Sequence, residues 1–252
     1  MLLSFMAIFF LPVSVLGFEF ISDFWGENWI FLIIFLLLII SLNVFFLANW
    51  SILKYVEKED WNSLIPLLEK RIYKNNFITY SNVRLLVHAY LLRSSGENLL
   101  KLENHVRDKR KNLYRKTFLM FSSGHLLTDK PEELEDYFET AYRDKSLKGQ
   151  EWIALKYILA LVIINKYEKA LEVLKAADGK NNSPVLKLLS LYFKFLCSPT
   201  EERDRIITAK DDFISGNDAA SFEAALDKEK GDIHVLFLSK IIEQAKEWAY
   251  GI

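Results

Sequence analysis

The sequence is poor in cysteine, proline and glycine, with one, five and nine of these residues in 252. The single cysteine, Cys197, excludes an internal disulfide and a zinc site built from several cysteines. Because proline and glycine interrupt helices, their scarcity favours long helical segments. Residues 1–50 also lack lysine and arginine and carry only three acids, Glu19, Asp23 and Glu27. All positive charge therefore lies in the later part of the chain.

Motifs for catalysis and for metal binding are also missing. The four histidines, His88, His105, His125 and His234, are dispersed and form no HExxH pattern. There is no glycine-rich phosphate loop and no GxSxG elbow. The acidic run 132–136 is interpreted as a solvated face at a helix start, where negative charge suits the helix dipole. The sequence thus predicts no catalytic site, no metal and no cofactor. A net charge of −1 makes nucleic acid an improbable partner.

One long run, residues 30–49, contains no charged side chain. A helix of this length spans roughly the 30 Å hydrocarbon core of a bilayer. Trp25 and Trp29 lie at one end of the run and Trp50 at the other, and indole rings favour the membrane interface. We therefore expect a transmembrane helix over residues 29–50 that anchors the chain in a lipid bilayer.

Two polar residues, Ser41 and Asn43, lie inside this apolar run. Such side chains can form hydrogen bonds to another membrane helix, which indicates packing or oligomerisation. The alternative is that a long leucine- and isoleucine-rich helix simply tolerates them.

The membrane topology depends on residues 1–17, which are either a signal peptide or a first transmembrane segment. In both cases residues 18–28 form a short acidic segment on the non-cytoplasmic side. Basic residues that follow the span, such as Lys54 and Lys58, are retained in the cytoplasm. The C-terminal domain is therefore predicted to be cytoplasmic. It would be periplasmic if the first segment neither crosses the membrane nor is removed.

The rest of the chain has apolar residues at spacings of three and four, which indicates helices. A juxtamembrane and leading helical segment over 51–79 precedes a helical domain over 80–252. In that domain the predicted helices are 81–93, 97–110, 112–127, 132–143, 149–164, 167–177, 184–197, 199–213, 218–228 and 233–248. Taken in pairs, they repeat roughly every 34 residues, which is the tetratricopeptide spacing. The apolar segment 152–164 is too short for a second span and is predicted to be a buried helix.

The stretch Glu151–Ala177 resembles the tetratricopeptide repeat. Ala170, Leu174 and Ala177 fall on the small, large and small positions of its second helix, whereas Ile158 stands where a small residue is usual. Recognisable motifs cover residues 112–184. The resemblance implies an all-α fold whose antiparallel helix pairs stack as a short right-handed α-solenoid, preceded by one or two transmembrane helices. Another helical solenoid and a compact bundle are the alternatives.

In proteins of this family the first helices line a concave face that binds peptide segments or other proteins. Carried onto matching positions, the resemblance implies partner contacts from Lys116, Leu119, Ser123, Trp152, Leu155 and Leu159. Interior packing is the alternative role, and the preferred one for Leu155 and Leu159. The implied function is a membrane-anchored scaffold or adaptor that binds a protein partner, for assembly of a membrane-associated complex.

A dense basic run is the remaining feature, formed by Arg107, Lys109, Arg110, Lys111, Arg115 and Lys116. It is interpreted as a solvated turn, as a docking site for an acidic protein, or as a site for anionic lipid or nucleic acid. The bias toward Phe, Ile, Leu, Lys and Asn resembles proteins of AT-rich bacterial genomes. A subunit of a bacterial motor or envelope machine with a periplasmic domain, such as a spirochete flagellar collar, is a further alternative.

Overall fold

The computed structural model describes Gly17 and residues 29–126, 130–177 and 183–251. In that part of the chain every regular element is helical, which confirms the predicted all-α class. The α-helices are α1 (Trp29–Glu57), α2 (Trp61–Glu69), α3 (Tyr80–Leu92), α4 (Gly96–Lys109), α5 (Lys111–His125), α6 (Pro131–Arg143), α7 (Gln150–Ile163), α8 (Tyr167–Ala177), α9 (Pro184–Cys197), α10 (Arg203–Gly216), α11 (Ala219–Glu229), α12 (Ile233–Phe237) and α13 (Ser239–Tyr250). A π-helical turn (Lys70–Lys74) follows α2 and a 3-10 turn (Thr200–Glu202) precedes α10. The chain separates into two compact units, Met1–Leu64 and Ile65–Ile252.

In the first unit, α1 is long and apolar enough to cross a membrane over Ile33–Glu57, and its most apolar stretch buries nothing inside the structure. Trp29 and Trp50 are both exposed and lie about 32 Å apart along the axis, close to the thickness of a hydrocarbon core. The helix continues past the predicted end at residue 50 because residues 51–57 contain no proline or glycine. Apart from Gly17, the predicted segments 1–17 and 18–28, with Trp25, lie outside the described residues.

In the second unit, helices that follow one another in the chain pack side by side. α4 lies against α5, α6 against α7, and α7 against α8. First helices of neighbouring pairs also pack together, as α3 does with α5, α7 with α9, and α9 with α11. The first helices begin at Tyr80, Lys111, Gln150, Pro184 and Ala219, at intervals of 31 to 39 residues. From α3 to α9 the helix bounds agree with the predicted ones to within two residues.

Helix α7 is enclosed on nearly every side. Ten consecutive residues, Trp152–Leu161, are buried, because α6, α8 and α9 pack around them. A helix surrounded by neighbours can be apolar on all its faces without entering a membrane. The prediction of a buried helix over 152–164 is thereby confirmed for 152–161, whereas Ile163 is exposed and ends the helix.

The C-terminal helices fold back onto earlier ones. The predicted helix 233–248 is divided at Leu238 into α12 and α13. α12 packs against α5, and Arg84 Nη2 donates a hydrogen bond to the carbonyl oxygen of Gly231 at 2.7 Å. α13 packs against α9 and α10. Leu238 and Ile242 are almost fully buried, so this segment belongs to the main core and is not a polar end cap.

An ion-pair network on the surface links α6 to α8. Lys169 Nζ lies 2.8 Å from Glu135 Oε1 and 2.7 Å from Glu139 Oε2, and Lys166 pairs with Glu135 as well. The hydrogen bonds that Lys169 donates to Glu135 and then to Glu139 raise the pKa of its ammonium group. The hydrogen bonds that Glu135 accepts from Lys166 and Lys169 lower the pKa of its carboxyl group. Part of the acidic run that was expected to be only a solvated face therefore connects neighbouring helix pairs.

We predict that Gly124→Ala destabilises the second unit. A Cβ at Gly124 on α5 would lie 2.0 Å from Leu99 Cδ2 on α4, and Leu99 is fully buried. Forcing an extra methyl group into a packed core costs about 1–3 kcal/mol. Urea unfolding of the full-length protein in detergent measures the change. Gly216→Ala is the matched control, because no atom lies within 4 Å of its added Cβ and alanine favours the helix. Equal stability of the two variants would contradict the prediction.

Candidate functional site

The six residues predicted to bind a partner do not form one accessible surface. Lys116 is exposed and Leu119 is half-buried. Ser123 is fully buried, and Trp152 retains 9% of its accessible surface. Leu155 and Leu159 belong to the main hydrophobic core, which is the interior packing preferred for these two residues from the sequence. Of this set, only Lys116 is exposed.

The C-terminal helices cover the inner residues of this set. Leu155 and Leu159 line an apolar recess. Its other walls are formed by Leu189 and Phe193 of α9, by Leu238 in the turn before α13, and by Ile241 of α13. A partner therefore cannot contact Leu155 or Leu159 while α12 and α13 are in place. The sequence could not reveal this, since the covering residues are about 80 positions away in the chain.

The basic residues, in contrast, are brought together at the surface. They lie at the turn between α4 and α5, where Arg107, Lys109, Arg110, Lys111 and Lys116 are exposed and Arg115 is half-buried. The structure adds Lys148, which precedes α7 and whose backbone N–H donates to the Arg115 carbonyl oxygen at 3.2 Å. We call these seven residues the basic surface. Asp144 lies nearby, and its pKa is lowered first by a hydrogen bond from Ser146 and further by Arg115 and Lys111.

A buried lysine occupies the middle of α7. Lys156 has no exposed surface, and its Nζ donates to the Leu119 carbonyl oxygen at 2.8 Å. The same nitrogen lies 3.0 Å from Ser122 Oγ and 2.8 Å from Ser123 Oγ. The ring centroid of Phe237, on α12, is 5.8 Å from Nζ. Burial holds the pKa of Lys156 well below its ordinary value.

This cluster places a lysine amine among hydroxyl groups. Its Nζ donates to one carbonyl oxygen and to two serine hydroxyl oxygens. A serine beside such an amine is the arrangement of a nucleophile with its general base. Ser122, Ser123 and Lys156 are all fully buried, however, so a substrate does not reach them. The cluster therefore fixes α7 against α5.

A second polar cluster centres on Glu103 of α4, whose side chain is 3% exposed. Tyr137 and Tyr114 donate their hydroxyl hydrogens to Oε1 at 2.9 and 3.2 Å, and His125 Nε2 lies 2.7 Å from Oε2. The His125 ring stacks on Tyr137 with centroids 3.5 Å apart. Burial and then the Glu103 carboxylate raise the pKa of Tyr137, so its phenol stays protonated and donates. Within the described residues no group of three His, Cys, Asp or Glu side chains is placed to hold a metal ion.

Neither buried cluster was predicted from the sequence, although a signal existed. Glu103 stands on the apolar stripe of α4 that Leu99, Leu102 and Val106 define. Lys156 interrupts the long apolar run of α7 in the same way. A charged residue at a core-facing position is buried only with hydrogen-bond partners, so each position indicated a polar cluster. The partners come from other helices, which only the tertiary structure identifies.

Comparisons with known proteins identify relatives in one bacterial genus. Residues 98–251 match a protein family described as "Uncharacterised Treponema protein". A protein of Treponema pallidum (strain Nichols), described as an uncharacterized protein, is 27% identical over 237 residues, covering 88% of this chain and 75% of the relative. No solved structure matches. The family match includes all of α5–α13, and with them both buried clusters and the basic surface.

We predict that Lys156→Met flattens the pH dependence of stability. The unfolded chain binds a proton at Lys156 up to about pH 10.5, whereas burial lowers the pKa in the folded state. Between the two pKa values the unfolded state holds more protons, so wild-type stability rises with pH by up to about 1.4 kcal/mol per unit. Methionine removes this titration, so the free energy of unfolding of the variant changes less with pH over that range. Urea unfolding at several pH values measures it.

The control for this prediction is Lys187→Met, which removes the same charge from an exposed position on α9. Its stability is expected to follow the wild-type pH dependence. Parallel profiles for wild type and Lys156→Met would show that the buried amine does not titrate on unfolding.

Proposed function

The chain belongs to the family described as "Uncharacterised Treponema protein", and we propose that it acts as a membrane-anchored helical-repeat adaptor that binds a protein partner. One observation carries the proposal: a 29-residue apolar helix with exposed side chains precedes a unit in which helix pairs pack in chain order. The exposed apolar side chains of α1 favour an apolar solvent such as a lipid bilayer. The packing of helix pairs in the second unit is similar to that of repeat proteins that bind other proteins.

The repeat character of the second unit supports a tetratricopeptide-like solenoid as the proposed arrangement. Its first helices begin at intervals of 31 to 39 residues and contact one another along the series. Ala170 and Leu174, which carry the sequence resemblance, are both buried where α8 meets its neighbours. Repeats of this kind commonly bind extended segments of other proteins.

The membrane anchor is supported by the length, composition and ends of α1. Its apolar side chains are exposed in the isolated chain, which is unfavourable in water by about 25 cal/mol per Å². Trp29 and Trp50 are spaced to lie at the two interfaces of a bilayer. Anchoring restricts the second unit to the neighbourhood of other membrane proteins and raises its effective concentration there.

The basic surface is the proposed contact for the partner. Leu155 and Leu159 are not available to a partner, because they are buried in a recess that Leu238 and Ile241 also line. The basic surface gathers seven cationic residues from around the α4–α5 turn and from the segment before α7, and its exposed charges favour an acidic protein segment. Anionic lipid headgroups or nucleic acid are the alternative ligands, because they carry the same charge.

We propose that the second unit faces the cytoplasm, since Lys54 and Lys58 follow the span and no basic residue precedes it. The alternative is a periplasmic unit that belongs to a motor or envelope machine.

Protease accessibility tests this orientation and the anchor together. In intact spheroplasts a cytoplasmic second unit resists added protease until the membrane is permeabilised, because the bilayer excludes the protease. A soluble cytoplasmic protein serves as the control for lysis. Mass spectrometry of the mature N-terminus reports whether residues 1–17 are retained. Digestion in intact spheroplasts would place the unit in the periplasm, and recovery of the chain in the soluble fraction would contradict the anchor.

Photocrosslinking in native membranes tests the partner surface. A photoreactive residue at Asn112, which is exposed within the basic surface, is expected to form a covalent adduct with a protein. Reversing three exposed charges with Lys109→Glu, Lys111→Glu and Lys116→Glu should reduce the adduct about tenfold, because attraction becomes repulsion.

The matched control for this experiment reverses three exposed lysines elsewhere in the second unit, with Lys175→Glu, Lys187→Glu and Lys228→Glu. It produces the same change in net charge and should leave the adduct unchanged. Adducts with lipid or nucleic acid alone would support the alternative ligands. A protein adduct that survives the first set of substitutions would remove the basic surface from the proposal.

A further inference from the structure

A polar side chain lies deep in the apolar part of α1. Asn43 is about 5 Å from the middle of the uncharged run 30–49 along the helix axis. Its Nδ2 donates a hydrogen bond to the Ile39 carbonyl oxygen, one turn earlier, at 2.9 Å. The side chain is nevertheless exposed on the helix surface. If α1 spans a bilayer, this amide therefore contacts lipid chains or another helix.

The Asn43 amide has more hydrogen-bonding capacity than α1 itself uses. An asparagine side chain offers two N–H donors and one carbonyl acceptor. The bond to Ile39 engages one donor, and within the described residues the second N–H and Oδ1 have no protein partner. In hydrocarbon there is no water to satisfy them, so leaving them unpaired is costly.

The same side of α1 carries a repeating apolar pattern around Asn43. Leu36, Ile40, Asn43, Leu47 and Trp50 follow one another at spacings of four, three, four and three residues, and all five are exposed. Such a pattern, averaging 3.5 residues, forms one continuous face along a helix that crosses a partner at a small angle. Among the side chains of α1 that the structure describes, Leu47 is the most exposed large apolar one, at 78%. Asn43 is the polar member of an otherwise apolar face.

We propose that two copies of this chain pair through this face of α1, with Asn43 of each copy hydrogen-bonded to Asn43 of the other. A parallel pair places both amides at the same depth in the bilayer. The unused N–H of each Asn43 can then donate to the unused Oδ1 of the other. A two-fold symmetric contact of this kind is self-complementary without any further partner. The proposal rests on the membrane anchor of the proposed function.

Energy transfer between labelled copies tests the pairing. Full-length chains carrying a donor or an acceptor fluorophore on a C-terminal tag are reconstituted into phosphatidylcholine vesicles over a range of protein-to-lipid ratios. Wild type is expected to show transfer above that of randomly distributed chains. Asn43→Leu should weaken association about 3- to 30-fold, which corresponds to the strength of such bonds between membrane helices. Asn43→Gln keeps the amide and should retain most of the association.

Asn49→Leu is the matched control. Asn49 donates Nδ2 to the Phe45 carbonyl oxygen at 2.9 Å, as Asn43 does to Ile39, but it lies on another face near the end of the run. Its replacement should leave association unchanged. The pairing through Asn43 is overturned if wild type shows only random transfer, if Asn43→Leu associates as wild type does, or if Asn49→Leu weakens association equally.

An alkaline wash of the same vesicles separates this inference from the proposed anchor. All variants are expected to stay in the vesicle fraction. If wild type is washed off, the anchor fails and the pairing fails with it. If the chains are retained but Asn43→Leu has no effect, the anchor stands and only the pairing fails.

Discussion

The stability of the second unit depends on the burial of α7, because neighbouring helices cover almost all of its faces. Ten consecutive residues of this helix are covered by α6, α8 and α9. A single helix pair cannot bury such a surface by itself, so the pairs become stable only when they pack against one another. The packing of α6, α8 and α9 around α7 meets this requirement. It also explains why an apolar helix of fourteen residues forms part of the core here, whereas the most apolar stretch of α1 is not buried within the described part of the chain.

Two buried polar clusters make this packing specific. Apolar contacts tolerate sliding of one helix along another, whereas hydrogen bonds require particular atoms at particular distances. Lys156 holds α7 to the end of α5 through the Leu119 carbonyl oxygen and two serine hydroxyls. Glu103 joins α4 to α5 and α6 through two tyrosines and His125. Because these hydrogen bonds form only when the donors and acceptors are aligned, each cluster favours one register of the helices.

The C-terminal helices change which surfaces can serve a function. An open solenoid would leave Leu155 and Leu159 accessible, but α12 and α13 return across the chain and cover them. The proposed recognition therefore uses the outer surface, where the basic residues around the α4–α5 turn and before α7 lie together. The two units also face different requirements: α1 exposes apolar side chains that suit lipid, whereas the second unit keeps its apolar side chains inside. The proposed partner therefore binds the exposed charges of the second unit. The proposed pairing uses the exposed apolar side chains of α1.

The sequence by itself determined the helices, because the 3.6-residue periodicity and the scarcity of proline and glycine are local properties. It located α3 to α9 to within two residues, and it identified α7 as a buried helix. Only the tertiary structure decided that Glu103 and Lys156 have partners, that Lys148 joins the basic surface, and that the expected binding face is covered. These features depend on contacts between residues that lie from 11 positions apart, as for Tyr114 and Glu103, to about 80 positions apart, as for Leu155 and Leu238. Such contacts follow from how the helices pack in space and leave no periodic trace along the chain.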